Sequence, residues 1–145
     1  MITTPASPST EVPRPLTTAA LDLLERCETE LLVAFHAKEP ADRYVHAHLA
    51  ALRAGAAVVA VHGRPAGPRR SGPRSVWEML PRLDPALQDW SERFAATAAQ
   101  RSAVEAGRTD VVNAVDAAVL FADAESFHHV VESLLGLSRV QPLAS

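Results

Sequence analysis

Residues 41–61 read ADRYVHAHLAALRAGAAVVAV, and this stretch decides the fold class. Val45, Leu49, Leu52, Ala56 and Val59 step by four and three, which is the seam of a packed helix. A second stripe lies beside it: Tyr44, His48, Ala51, Gly55 and Val58. Two adjacent apolar stripes on one helix predict contact with more than one partner helix. Ala51 and Gly55 are small enough to let a neighbouring backbone come close, so the Tyr44–Ala51–Gly55 stripe is also a candidate interface with a second copy.

Working outward, the pattern stays helical on both sides. Upstream, Ala20, Leu24, Cys27, Leu31 and Phe35 form one stripe of a helix expected over 16–37, with Pro15 suited to its first turn and Lys38-Glu39-Pro40 interrupting it. Downstream, residues 62–74 (HGRPAGPRRSGPR) hold three Gly, three Pro and four Arg with no acid, a flexible basic loop. Ser75-Val76-Trp77-Glu78 reads as the cap and first turn of a short helix that Pro81 should stop. Asp84-Pro85 restarts a helix; Leu83, Leu87, Trp90, Phe94, Thr97, Arg101 and Val104 step by four and three as its seam, and Gly107 ends it. Asn113 is the expected cap of the last helix, with Asp116 at its third position; Ala117, Leu120, Ala124, Phe127, Val131 and Leu134 line it and Gly136 terminates it. No segment has the period of a strand. The expected architecture is all-α: an up-and-down four-helix bundle over residues 16–136, with the short Trp77 helix in the crossover. Residues 1–15, rich in Pro, Ser and Thr, are expected to be a disordered tail, and 137–145 a C-terminal tail.

Composition narrows the function classes. With 145 residues, 48% hydrophobic and only 5% aromatic, and with Ala at 27 positions, the core must be built from closely approaching small-residue faces. Cys27 is the only cysteine, which excludes an internal disulfide and a four-cysteine zinc site. The longest apolar run, Ala54 to Val61, is far short of the ~20 residues that span a bilayer, so a cytoplasmic chain with no membrane partner is expected. Net charge is −3; the basic loop carries +4 and leaves −7 to the rest.

The segments DRYVHAHLAALRAGAAVVA, PRSVWEML and DWSERFAATAAQRSAVEAG, joined by the Arg-Pro-Gly loop, resemble a small actinobacterial group of stand-alone HEPN (higher eukaryotes and prokaryotes nucleotide-binding) domains. The resemblance covers about residues 16–136. It implies a four-to-five-helix bundle, commonly dimeric, in a superfamily of RNA-associated proteins. Its catalytic members are metal-independent ribonucleases that use an Arg, four to six intervening residues and a His, completed across two protomers; other members bind without cutting. That motif lies late in the bundle. Here Arg101 is followed at the required distances by Ala106, Gly107 and Arg108, and Arg108 by Asn113, Ala114 and Val115, so the position holds no histidine.

One pair does have the spacing: Arg43 and His48, with four residues between them. On a helix they stand ~140° apart, which suits a packed His48 better than a catalytic pair on one face. Arg64, Arg69, Arg70 and Arg74 on the loop, with Arg101, are the candidate nucleic-acid contacts, because guanidinium pairs bidentately with phosphate. Glu125-x-x-His128 has the spacing of one half of a di-iron ligand set, but the second half is missing; His128 and His129, consecutive and ~100° apart on a helix, are not expected to form a bidentate zinc pair, and Glu125, His128 and His129 are expected on the solvated surface. Gly67 to Gly72 has phosphate-loop glycine spacing but continues Pro73-Arg74 instead of Lys-Ser/Thr. No metal and no cofactor is assigned. The leading expectation is a non-catalytic HEPN-like module that binds RNA, a nucleotide or a protein as a homodimer. The alternatives are a ribonuclease using Arg43 and His48, and a purely structural interaction bundle.

Overall fold

The computed structural model describes residues 16–63 and 75–137, and all regular structure among them is helical. The expected tails and the basic loop with its four arginines lie outside the described residues, apart from His62, Gly63 and Leu137. Six α-helices follow one another: α1 (Thr18–His36), α2 (Pro40–His62), α3 (Val76–Leu83), α4 (Gln88–Ala96), α5 (Ala98–Glu105) and α6 (Ala114–Leu134). A 3-10 turn at Pro85–Leu87 leads into α4, and another at Thr109–Val111 precedes α6.

α2 is the centre of the bundle, touching α1, α6, α3 and α5. By length and composition it is the one described helix apolar enough to cross a membrane. Half of that apolar stretch is buried against the rest of the fold. Ala47, Ala50, Ala51, Ala54 and Ala57 are fully buried, so its partners approach over methyl groups. The larger residues of the first expected seam, Val45, Leu49, Leu52 and Val59, are only half-buried. The helix thus turns its small face inward. Large side chains fill the core from the other elements: Trp77, Leu80, Leu87, Phe94, Leu120 and Phe127.

Helix ends follow the sequence closely where caps are present. Asn113 and Asp116 form a reciprocal capping box, Asp116 N–H donating to Asn113 Oδ1 at 2.8 Å and Asn113 N–H to Asp116 Oδ2 at 3.0 Å. Ser75 and Glu78 do the same for α3. α2, α5 and α6 each end at a glycine with positive φ: Gly63, Gly107 and Gly136. Two expectations change. Pro81 lies inside α3, which runs on to Leu83: its ring φ is compatible with a helix, and the helix continues past it without the one backbone hydrogen bond that proline has no N–H to make. The third long helix is also divided, breaking at Thr97 into α4 and α5.

Candidate functional site at the helix break

The break at Thr97 is made by side chains. Three donors converge on the Phe94 carbonyl: the Thr97 hydroxyl at 2.9 Å, the Thr97 N–H at 3.2 Å and His48 Nε2 at 3.2 Å. A side chain that inserts at a helix carbonyl in this way bends or breaks the helix. Tyr44, one turn before His48 on α2, is buried on the same side of the helix, and its phenol interacts electrostatically with the Thr97 side chain. Two residues of the expected α2 stripe therefore face the break in the neighbouring helix.

His48 is 1% exposed and is enclosed edge-on by Trp77 and Phe94, with ring centroids 6.0 and 6.5 Å away. Trp77 in turn stacks on Phe94 at 5.1 Å, and Phe127 from α6 completes the aromatic cluster. Since Nε2 meets a carbonyl, it carries the proton, which leaves Nδ1 as a buried acceptor with no partner. Burial holds this imidazole below the ordinary value of 6.5; the Phe94 carbonyl opposes that and the nearby Arg101 guanidinium adds to it. A neutral, enclosed imidazole of this kind orders the bundle and offers no proton to a substrate in solution.

Arg43 lies elsewhere and acts on α1. α1 has no glycine after His36, and its last carbonyls need another donor. Arg43 supplies it from the first turn of α2: Nε donates to Ala34 O at 3.0 Å, and Nη2 to Ala37 O at 2.8 Å and Phe35 O at 3.3 Å. The positive group also sits at the negative end of the α1 dipole. Arg43 and His48 are therefore not brought together, since each reaches a different helix. We expect Arg43→Ala to destabilise the fold by about 2 kcal/mol, because partly buried carbonyls lose charge-assisted donors. Arg43→Lys should recover only part of this, since one ammonium does not reproduce the guanidinium fork; chemical denaturation of the three proteins measures it.

The remaining candidates are placed as follows. Tyr44, Ala51 and Gly55 are buried within the chain, so the stripe is not an outward-facing interface. A Cβ on Gly55 would meet Val76 Cγ1 at 2.7 Å and Leu80 Cδ1 at 3.1 Å, so the small face of α2 receives α3 of the same chain. Arg101 pairs with Glu105 one turn on, its Nη1 at 3.1 and 3.2 Å from the two carboxylate oxygens. Arg64, Arg69, Arg70 and Arg74 lie outside the described residues. His128 departs from its expected surface position and is 7% exposed, whereas Glu125 and His129 are exposed. Sequence reading missed the role of Thr97; its one signal was a hydroxyl residue in the middle of an apolar seam.

A family model for HEPN-like domains matches residues 34–132, well over half of the chain. The chain belongs to the HEPN family. The matched span runs from the last turn of α1 to near the end of α6, so the polar junction at the helix break lies wholly within the HEPN domain. Comparisons with curated proteins and with solved structures return no match.

Proposed function

We propose that this HEPN chain is a non-catalytic association module that pairs with a second copy through the outer side of α1 and α6. The observation that carries the reading is the apolar surface left on those two helices. Leu32 and Phe35 on α1 are each 61% exposed, and Val115 and Val119 on α6 are 69% and 56% exposed. Phe35 also packs beside Phe121, which joins the two helices into one surface. Ala118 and Ala122 are exposed as well, so the N-terminal half of α6, from Ala114 to Ala122, is apolar nearly all round but for Asp116, the pattern of a helix covered on both sides.

Two placements support the non-catalytic part. The histidine expected of the family's ribonucleases, with four to six residues between it and Arg101, is replaced by the helix stop of α5. There Gly107 has φ +101° and Arg108 N–H bonds back to Ala103 O. The substitute pair, Arg43 and His48, is divided between two separate structural tasks. The expected result is a dimer in sedimentation equilibrium of the purified chain. Phe35→Asp and Val119→Asp should each weaken it about a hundredfold or more while circular dichroism keeps its helical signal. A wild-type monomer at high concentration would overturn self-pairing.

RNA contact is the second reading, favoured by the four arginines without an acid between residues 62 and 74. Labelled single-stranded RNA incubated in chelator separates the cases. A salt-sensitive gel shift lost on replacing Arg64, Arg69, Arg70 and Arg74 with Ala supports it, whereas cleavage would overturn the non-catalytic reading.

A further inference from the structure

Between α1 and α6, on a site independent of the pairing surface argued above, a buried imidazole faces two carboxylates. His128 and Glu132 stand one turn apart on α6 and share a face. α1 brings Glu28 against the same face. His128 Nε2 is shielded from solvent and makes no hydrogen bond, and His128 is 7% exposed. Its nearest acidic atoms are Glu28 Oε2 at 3.5 Å and Glu132 Oε2 at 3.6 Å. The other oxygen of Glu132 is 3.6 Å from His129 Nδ1. The ligand atoms of His128, His129 and Glu132 all lie within 4.8 Å of one another.

These separations are too long for good hydrogen bonds, which fall at about 2.7–3.2 Å. Each has the length of one edge of a coordination tetrahedron, although Glu132 presents Oε2 to His128 and Oε1 to His129, so an ion would draw the side chains onto one shared centre. With zinc–nitrogen and zinc–oxygen bonds of about 2.0–2.2 Å, neighbouring ligands stand roughly 3.3–3.6 Å apart. A buried polar atom without a partner calls for an explanation, and an ion between these groups supplies one. The inner wall is fixed, with the His128 and Glu132 side chains 9% and 14% exposed, while Glu28 is 48% exposed and free to adjust. Glu28 and Glu132 also line a cleft of about 360 Å³ that includes Asp22 and Glu25, an acidic approach for a cation.

We propose that Glu28, His128 and Glu132, with His129 closing the solvent side, bind one divalent transition-metal ion of the zinc type and tie α1 to α6. Two imidazoles with two carboxylates favour zinc, cobalt or nickel over magnesium or calcium, which take oxygen ligands. Because the ligands come from two helices, the ion stabilises the folded state by binding it selectively.

The test uses the full chain without an affinity tag, freed of metal by chelator. Titration with zinc chloride in a calorimeter should show one ion per chain, together with a rise in thermal midpoint. Glu28→Gln, at an exposed position that leaves the core intact, and Glu132→Gln should each weaken binding about tenfold or more. Cobalt chloride should give the visible absorption of a four-coordinate site, and His128→Asn should abolish it. Three results would each overturn the proposal: no saturable zinc binding, zinc binding unchanged in both carboxylate variants, or magnesium bound as tightly as zinc.

Discussion

Gly55→Leu is expected to lower stability by upwards of about 3 kcal/mol, lowering the thermal midpoint by roughly 10 °C. Leucine is the better helix former, by about 1 kcal/mol over glycine, and at an open helical position the change would stabilise. Gly55 is not open. A Cβ there would stand 2.7 Å from Val76 Cγ1, 3.1 Å from Leu80 Cδ1 and 3.4 Å from Trp77 Cζ3. Val76 is β-branched and stands in the first turn of α3, behind the Ser75–Glu78 capping box, so it has little room to turn away. Leu80 is fully buried. Overpacking therefore outweighs propensity, and even Gly55→Ala is expected to be destabilising. Val76→Ala removes the closest atom and should rescue Gly55→Ala nearly completely and Gly55→Leu in part, a coupling that a double-mutant cycle measures. If Gly55→Leu left the folding free energy unchanged and altered only the oligomeric state, α3 would not be the partner of this stripe.

The same contact shows what was legible in the sequence. The stripe Tyr44, His48, Ala51, Gly55 was visible as a small, apolar face, and its closeness to another backbone followed from glycine and alanine. Which helix comes close was not visible, because periodicity describes one helix at a time. Caps were legible for a related reason: Ser75–Glu78 and Asn113–Asp116 act within four residues, and local chemistry is all they need. The donor for the α1 carbonyls was not, since Arg43 acts across the hairpin and resembles any charged residue in a first turn. His128 was misplaced because its neighbours in sequence, Glu125 and His129, are exposed. The position faces α1, and only the packing of α1 against α6 turns it inward. The contribution of His48 to the break at Thr97 escaped for the same reason, since it comes from another helix.

His48 carries the second large effect. His48→Ala is expected to cost about 3 kcal/mol, mostly through the cavity left between Trp77 and Phe94. Loss of the hydrogen bond itself should be the smaller part, since the Phe94 carbonyl keeps the Thr97 hydroxyl and N–H as donors. His48→Leu separates the two contributions. It fills much of the same volume and removes the partnerless Nδ1, so it should cost clearly less than the alanine variant. The acid limb of stability provides an independent reading. Because the folded-state pKa of His48 is lowered below 6.5, the unfolded chain binds a proton there more readily. The stability this residue supports is complete above pH 6.5 and is lost as the pH falls from there towards the folded-state value. His48→Leu cannot take up that proton, so its loss of stability between pH 7 and pH 5 should be shallower than that of the wild type in urea titrations at each pH. A wild-type and a leucine variant that fall in parallel would place the proton uptake elsewhere and leave His48 as packing alone. If His48→Leu proved as costly as His48→Ala at neutral pH, the bond to Phe94 would be the dominant contribution, and the break at Thr97 would depend on it.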